Sequence, residues 1–322
     1  MGRDNILEKI TSRFCEYETD REDLLGFLLE YRLATDIRIY PTIWRVQLLL
    51  TSRVSNLKKD TQLWQDKTGQ IIGFVMLWRR RSDSPYIVLD GFVHPKFVTK
   101  ERLMIMFEWG NERAKEIGAE QNTTVTVFAN GFHHPVFADQ LQTTFSYVSI
   151  SPNPDEHNVY LSKMLDKEIS IPSLPEGYTI QRLQNTDSLK QYQSLYGFAQ
   201  VNPVHQKELI QSEEYAHLAV ENKNGEFVAY CECSICRAEW GIMNNHIGWI
   251  DYIETGSNHQ KQGFGQAALL AGLTQLRRWG ADTAMLITIN TNTPALKLYN
   301  KVGFEFVQIA EPLRYKNVFH CL

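Results

Sequence analysis

The chain has 322 residues, a length that suits two domains of about 150 residues each better than one. Its formal charge of −4 gives no basic surface of the kind that nucleic-acid-binding proteins carry, and no apolar run reaches the ~20 residues of a membrane-spanning helix. The first ten residues are charged rather than signal-like. Composition therefore predicts a soluble cytoplasmic protein, with neither nucleic acid nor a membrane as its partner.

Three of the five cysteines, Cys231, Cys233 and Cys236, cluster in one short segment, which raises the hypothesis of a zinc site. The segment reads as a strand with Cys231 and Cys233 on one face, and no second Cys/His pair of zinc spacing follows it. We therefore expect buried core cysteines and no metal.

Residues 1–60 have the pattern of helices. Asp20 is a candidate N-cap for a leucine-rich segment, and Pro41 is suited to open a second apolar helix. The apolar faces of both helices need a sheet to cover.

A β-hairpin is predicted next, with strands at 61–65 and 70–78 around a turn at 66–69. The same pattern recurs 156 positions later, with strands at 217–221 and 226–235 around a turn at 222–225. A repeat of this period indicates two copies of one domain rather than a solenoid.

The elements that follow have the same order in both halves, and Pro172 and Pro175 mark a linker at 166–175. The predicted domains are therefore 1–165 and 166–322. In the first, we expect strands at 86–93, 123–129 and 158–164 and helices at 101–117 and 135–142. In the second, we expect a strand at 176–183, helices at 189–199 and 204–213, and closing strands at 306–309 and 313–319.

The second half is organised around the loop Gln260-Lys261-Gln262-Gly263-Phe264-Gly265. A largely buried strand, 247–253, precedes it, and an apolar pattern of helical spacing follows it. Amide groups at a helix start have no partner within the helix, and glycines let an anion approach them closely. This layout predicts a phosphate-binding loop.

A second apolar strand, 284–289, leads into Asn292-Thr293-Pro294-Ala295-Leu296-Lys297-Leu298-Tyr299-Asn300-Lys301-Val302-Gly303-Phe304. With the loop upstream, this segment resembles the GNAT superfamily of acyl-CoA-dependent N-acetyltransferases. The family's Gln/Arg-x-x-Gly-x-Gly/Ala loop matches 260–265, and its Asn-x-x-Ala-x-x-Leu-Tyr-x-x-x-Gly-Phe element matches 292–304. The resemblance implies an α/β (α+β) fold of two tandem GNAT-like domains, each a mixed, mostly antiparallel splayed sheet flanked by helices.

The resemblance also implies acetyl-CoA as a cosubstrate, with its pyrophosphate on the loop and its pantetheine arm along the preceding strand. Several of these residues have an alternative role. Asn292 could equally cap the helix, and Lys261 and Lys297 could equally be solvated charges at helix ends. Gln260 stands where many relatives have Arg, so a charge-assisted contact is missing. The expected cofactor-binding residues are Thr255, Gln260, Lys261, Gln262, Gly263, Phe264, Gly265, Asn292 and Lys297.

The family's Leu-Tyr pair makes Tyr299 the candidate acid that protonates the departing thiolate. A tyrosine on an amphipathic helix is also often a core residue with a wet tip. Glu254 and Asp251 are the candidate bases, and Glu254 ranks slightly higher because it is nearer the strand end. Their odd separation predicts that they lie on opposite faces of the strand. Either of them also suits a solvated or paired charge.

In the first half, Glu101 and Leu103 stand at the positions of the two loop glycines. A negative charge and two side chains oppose the approach of a pyrophosphate, so this half is expected to be a degenerate copy. The leading hypothesis is an enzyme whose second half acetylates a primary amine: a small amine, an amino acid, an aminoglycoside-like molecule or a peptide N-terminus. The alternatives are a non-catalytic acyl-CoA-binding regulatory module and a pure interaction protein. The sequence makes no prediction of oligomeric state.

Overall fold

The structure is a computed structural model that describes residues 10–35, 42–51, 56–79, 82–130, 141–149, 157–184, 211–242, 246–310 and 315–320. The chain divides into two compact units, one of residues 1–36, 47–153 and 312–322, the other of residues 37–46 and 154–311. Of the predicted helices, 189–199 lies outside the described residues, and 135–142 and 204–213 lie mostly outside them. No helix in the described ranges is both long and apolar enough to cross a bilayer.

The first unit is built on a seven-stranded sheet of order β1-β2-β3-β4-β5-β14-β6, in which β4 and β5 are parallel and the other pairs antiparallel. The main helix on this sheet is α4, whose buried side chains pack on the strands. The elements are β1 Thr11–Phe14, α1 Tyr17–Ala34, α2 Ile43–Leu50, α3 Leu57–Asp60, β2 Thr61–Gln65, β3 Ile71–Trp78, β4 Tyr86–Val93, α4 Lys100–Glu120, β5 Val125–Asn130, β6 Val148–Ser149 and β14 Tyr315–Phe319. Helix α2 crosses the division, since residues 43–46 belong to the second unit.

The second unit repeats this plan with the order β13-β7-β12-β11-β10-β9-β8, in which β11 and β12 are the parallel pair. The predicted fold class, two mixed and mostly antiparallel sheets flanked by helices, is therefore confirmed. The elements are β7 Asn158–Met164, β8 Tyr178–Arg182, β9 Tyr215–Asn222, β10 Phe227–Ile235, α5 Arg237–Ile242, β11 Ile247–Thr255, α6 Phe264–Trp279, β12 Thr283–Ile289, α7 Thr293–Val302 and β13 Glu305–Ala310.

The two predicted hairpins are confirmed, and their turns are built alike. In the first, Asp66 Oδ1 accepts hydrogen bonds from the amides of Thr68 and Gln70. In the second, Asn222 Oδ1 accepts from the amides of Asn224 and Glu226. Each turn then places a glycine at positive φ, 88° in the first and 81° in the second. The repeat that the sequence predicts therefore extends to the chemistry of the turns.

The predicted domain boundary differs from the division in the structure. Strand β7, assigned from sequence to the first domain, pairs with β12 along its whole length and lies between β12 and β13. Strand β14, expected to close the second domain, pairs with β5 and β6 of the first sheet. An alternating apolar strand specifies which face it buries, not which sheet it joins, so the sequence pattern could not reveal this exchange.

The first helix begins earlier than predicted. Helix α1 starts at Tyr17 with Glu16 as N-cap, so Asp20 lies inside the first turn rather than at its start. Asp20 accepts the Glu16 amide at 2.8 Å and two hydrogen bonds from Arg13, each at 2.7 Å. Arg13 belongs to β1, a short strand that the predicted helical pattern of this region did not include.

Helix α6 packs closely on one face of the second sheet. A Cβ added at Gly272 would lie 2.5 Å from Sγ of Cys231, so the helix reaches its position only without a side chain there. Cys231 and Cys233 are fully buried in this core, and burial raises the pKa of both thiols. Within the described ranges, no three His, Cys, Asp or Glu side chains group as metal ligands.

Candidate active site

The parallel strands β11 and β12 separate shortly after they begin. They pair only at three positions, Ile247–Trp249 with Thr283–Met285. From Ile250 to Thr255, β11 has no pairing with β12, although β12 stays paired with β7 to its end. The edge of β11 that faces the gap therefore carries unpaired backbone groups, which need a partner such as an extended ligand.

The loop at 260–265 lies at the end of this open edge. Helix α6 begins at Phe264, and Gly263 precedes it with φ of 90°, a conformation that favours glycine. No side chain caps this helix, so the amides of its first turn remain available to an anion. Gln260, Lys261 and Gln262 are exposed beside it. The predicted phosphate-binding loop therefore has the geometry that its chemistry requires.

Two further loop residues hold the helix start in place. A Cβ added at Gly265 would lie 2.7 Å from Oγ1 of Thr255, so the first turn of α6 packs directly on the strand end. The Phe264 ring is buried against Tyr178, with ring centroids 4.5 Å apart. Only the backbone of Phe264 is therefore placed to meet a ligand, and its side chain anchors the loop.

The second motif forms α7 with the ends that the sequence predicts. Asn292 caps the helix by accepting the Ala295 amide at 3.3 Å, which is the capping role left open above. Pro294 lies in the first turn, and Gly303 ends the helix with φ of 93°. Lys297 is exposed on the same helix.

Tyr299 is 5% exposed and packs edge-on against Phe304 with a centroid separation of 5.9 Å. Its hydroxyl has no hydrogen-bond partner in the part of the chain that the structure describes. Burial raises its pKa, so the phenol stays protonated at neutral pH. A buried phenol in this state carries its proton and can act as a hydrogen-bond donor.

The two candidate bases lie on the same face of β11, which corrects the expectation from their spacing. Glu232 of β10 pairs with Tyr252 while the next residue, Cys233, pairs with Ile250, so Asp251 is an extra residue in β11. This β-bulge shifts the alternation by one position. Asp251 and Glu254 therefore both lie on the face opposite α6.

Asp251 has an unusual environment for a carboxylate. Its Oδ1 accepts a hydrogen bond of 3.4 Å from the Thr42 hydroxyl, whereas its Oδ2 is buried without a hydrogen-bond partner among the described residues. Burial, with a smaller effect from the negative charge of Glu232, raises its pKa to about 7, although Ser234, Arg45 and Thr42 act in the opposite direction. A carboxylate with this pKa exchanges protons readily near neutral pH.

Glu254 is held differently. The hydroxyl groups of Tyr230 and Tyr252 donate to its Oε2 at 3.0 and 2.8 Å. The two tyrosine rings are stacked, with centroids 5.6 Å apart and planes within 9° of parallel. Burial and the hydrogen bond to Glu254 raise the pKa of Tyr252 to about 12, so its hydroxyl remains a donor at neutral pH.

Four residues near Asp251 were not among the predicted site residues. The Tyr215 hydroxyl donates to Oε2 of Glu232 at 2.7 Å, and Nδ1 of His217 lies 3.6 Å from Oε1 of the same carboxylate. Thr42 reaches Asp251 from just before α2. The alternation of Tyr230, Glu232 and Ser234 with buried apolar residues was a signal for a polar face. Nothing in the local sequence of Thr42 indicated its partner 209 positions away.

The corresponding region of the first unit differs from this site in the residues that the structure describes. Strands β4 and β5 stay paired from Tyr86 through Asp90, five positions instead of three. Helix α4 is capped by Thr99, whose Oγ1 accepts the Arg102 amide at 3.2 Å. Glu101 is exposed in the first turn, and the Leu103 side chain is buried. That this copy does not bind acyl-CoA in the usual way stays a prediction.

Comparison with known proteins supports the resemblance. Residues 179–304 match the family model described as acetyltransferase (GNAT) family. A mycothiol acetyltransferase from Saccharomonospora viridis is 36% identical over 62 residues, which are 19% of this chain and 20% of that protein. The match thus spans about a fifth of the relative's length.

The similarity in fold to solved structures covers nearly the whole chain. A GCN5-related N-acetyltransferase from Sphaerobacter thermophilus has a TM-score of 0.62 at 16% identity, covering 97% of this chain and 96% of that one. A tandem GNAT protein from the clavulanic acid biosynthesis pathway has the same TM-score at 13% identity, covering 96% and 98%. The N-myristoyltransferase of Saccharomyces cerevisiae with bound myristoyl-CoA has a TM-score of 0.56 at 12% identity, covering 97% and 78%. Likeness at such identities shows the fold alone.

The matched segment contains β11, the 260–265 loop, α6, β12 and α7, which together carry every predicted site residue. Members of the matched family are acyl-CoA-dependent acyltransferases. Residues 179–304 therefore match the acetyltransferase (GNAT) family model, in a chain whose fold is similar to that of a tandem GNAT protein.

Proposed function

We propose that this protein is an N-acetyltransferase that transfers an acetyl group from acetyl-CoA to a primary amine in its second unit. The observation that carries the proposal is the open edge of β11 leading to an uncapped helix start at Gly263. The edge matches the amide groups of a pantetheine arm, and the helix start matches a pyrophosphate. The loop side chains Gln260, Lys261 and Gln262 and the nearby Lys297 are exposed for further phosphate contacts.

In the proposed reaction, Asp251 accepts a proton from the ammonium group of the acceptor, directly or through water. The free amine then attacks the thioester carbonyl, forming the C–N bond, and the C–S bond breaks. Tyr299 donates its proton to the departing thiolate, and the second proton, which the nitrogen loses on becoming an amide, passes through water to restore the Tyr299 phenol. The protein itself forms no covalent bond, so its contribution is positioning and proton transfer.

We place Asp251 ahead of Glu254 as the base, which reverses the order suggested by the sequence. Asp251 has a pKa of about 7 and a buried oxygen free to accept a proton. One oxygen of Glu254 is already occupied by two tyrosine hydroxyls. A carboxylate that two hydrogen bonds hold in place is better suited to bind a substrate than to exchange protons.

The proposal is tested by calorimetric titration of acetyl-CoA, followed by an assay of amine-dependent thiol release. We expect one site per chain and release of CoA with at least one amine class. Binding without turnover for every amine would favour a regulatory acyl-CoA-binding module. Parallel titration of myristoyl-CoA is informative because the yeast neighbour holds that longer acyl-CoA. Absence of any acyl-CoA binding would overturn the proposal.

Replacing Tyr299 with phenylalanine should lower kcat about tenfold or more while leaving the Kd of acetyl-CoA within twofold of wild type. The effect is moderate because a thiolate, whose conjugate thiol has a pKa of roughly 8.5, leaves more readily than an alkoxide or amide. Steady-state kinetics and calorimetry measure the two quantities. Unchanged kcat would show that Tyr299 is only a core residue.

Replacing Glu232 with glutamine should shift the acid limb of the kcat/KM profile to lower pH. The negative charge of Glu232 raises the pKa of Asp251, so its removal lets Asp251 lose its proton at a lower pH. The positive charge of Arg45 also acts on the pKa of Asp251, in the direction opposite to Glu232. The Tyr215 hydroxyl donates a hydrogen bond to Glu232, the residue that is replaced. A pH profile between pH 5 and pH 9 measures the shift. A shift to higher pH, or none, would contradict Asp251 as the base.

A further inference from the structure

Three carboxyl groups share the face of the second sheet opposite α6: those of Glu232, Asp251 and Glu254. The bulge at Asp251 brings them to one face. Glu232 is buried, and its carboxylate accepts a hydrogen bond from the Tyr215 hydroxyl. Neither Asp251 nor Glu254 forms an ion pair with a residue that the structure describes. This face therefore has carboxyl groups at two positions along β11 that form no salt bridge with a described residue, although Arg45 lowers the pKa of Asp251.

Neighbouring side chains hold the Glu254 carboxylate in one orientation. Tyr230 and Tyr252 both donate to Oε2, which fixes the carboxylate and leaves Oε1 without a hydrogen bond from any described residue. Glu254 and Tyr252 are partly exposed, whereas Tyr230 is fully buried. An oriented carboxylate oxygen beside a tyrosine ring is suited to an ammonium group, which gains both an ionic hydrogen bond and a cation–π contact.

The position at Asp251 carries an independent sign of a missing partner. Its Oδ2 is buried and accepts no hydrogen bond from the described residues. Buried acceptors in proteins are nearly always paired, so an unpaired one at a proposed reaction centre indicates the place of a ligand donor. A primary amine supplies such a donor.

The spacing of the two positions limits the ligand. Asp251 and Glu254 are three residues apart on an extended strand, so their Cα atoms are separated by about 10 Å at most. The bulge shortens this distance. An aliphatic chain with an amino group at each end is long enough to meet both carboxylates.

We propose that Glu254, held by Tyr230 and Tyr252, binds a second ammonium group of the acceptor, so that the preferred acceptors are aliphatic diamines and polyamines. The inference rests on the proposed function for the identity of the reacting amine at Asp251. It predicts selectivity for a charge at the far end of the acceptor.

The test is calorimetric titration of cadaverine, pentylamine and ε-aminocaproate into the full chain, with and without CoA. These ligands have similar chain lengths and differ at the far end, which is an ammonium, a methyl or a carboxylate group. We expect cadaverine to bind at least tenfold more tightly than pentylamine, and ε-aminocaproate to bind most weakly. Binding is measured without turnover, so the result stands even if no acetyl transfer is found.

The Glu254→Gln variant should bring the cadaverine-to-pentylamine ratio of Kd values close to one. Tyr252→Phe should reduce the ratio partly, since it removes one of the two hydroxyls that hold the carboxylate. Glu305→Gln is the matched control, because Glu305 is an exposed acid on β13 of the same unit, and the ratio should stay at the wild-type value. Equal binding of cadaverine and pentylamine in the wild type would overturn the inference, as would an unchanged ratio in Glu254→Gln.

Discussion

Replacing Gly263 with glutamate is expected to weaken acetyl-CoA binding about a hundredfold. The new carboxylate would stand at the uncapped start of α6, where the pyrophosphate is proposed to bind. Two like charges about 4 Å apart near a protein surface repel by roughly 4 kcal/mol, and a hundredfold loss corresponds to about 2.7 kcal/mol. The substitution also reproduces the charge that Glu101 places in the first turn of α4. Calorimetric titration of acetyl-CoA measures the effect.

Gly69→Glu is the matched control for this variant. Gly69 has φ of 88° and Gly263 has φ of 90°, and a Cβ at either position would meet no atom within 4 Å. Both substitutions therefore carry a similar backbone cost of about 1–2 kcal/mol in a left-handed conformation. Gly69 lies in the turn of the first hairpin, so its variant should bind acetyl-CoA as tightly as wild type. Equal loss of affinity in both variants would mean that destabilisation, not charge, is responsible.

Replacing Asp251 with asparagine should lower kcat by about a hundredfold or more at pH 8, with little change in the Kd of acetyl-CoA. Asparagine keeps the shape and the hydrogen bond with Thr42 but cannot accept the proton of the amine. Steady-state kinetics with a saturating amine measures the loss. Asp166→Asn, at an exposed acid of the same unit, is the control and should retain wild-type kcat. A kcat within threefold of wild type in Asp251→Asn would exclude this residue as the base.

The same variant should also be more stable than wild type at pH 8. The pKa of Asp251 is about 7 in the folded protein, raised from 3.8, so the folded state binds more protons than the unfolded state between these values. The contribution of Asp251 to wild-type stability therefore decreases as the pH rises from about 4 to about 7. Asparagine removes this dependence, and the gain at pH 8 is on the order of 2–4 kcal/mol. Urea unfolding at pH 5 and pH 8 measures it. Lost activity combined with gained stability would separate catalysis from a structural role.

Much of the site could be predicted because its parts are local. The 260–265 loop and the 292–304 segment each contain a turn or cap whose residues are adjacent in sequence. Gly263 and Gly303 have the positive φ that their positions require, and Pro294 and Asn292 form the start of α7. Turns and helix caps of this kind are determined by residues that are consecutive in sequence.

The arrangement of the carboxylates could not be predicted in the same way. The bulge at Asp251 depends on the register between β10 and β11, which is a tertiary property. The raised pKa of Asp251 depends on burial and on Glu232 from the neighbouring strand. Simple alternation along β11 thus placed Glu254 and Asp251 on opposite faces. Nearness to the strand end ranked Glu254 first, and the proposed mechanism reverses that order.

The exchange of β7 and β14 between the two sheets has a consequence for biosynthesis. The ribosome makes β5 and β6 long before β14, the strand that lies between them. The first sheet therefore cannot be completed until residues 315–319 have left the exit tunnel. The two units thus cannot fold one after the other during synthesis. An expressed fragment of residues 166–322 would lack β7, the strand between β12 and β13, and its exposed strand edges would favour aggregation. Studies of either half require fragments whose ends follow the sheets rather than the midpoint of the sequence.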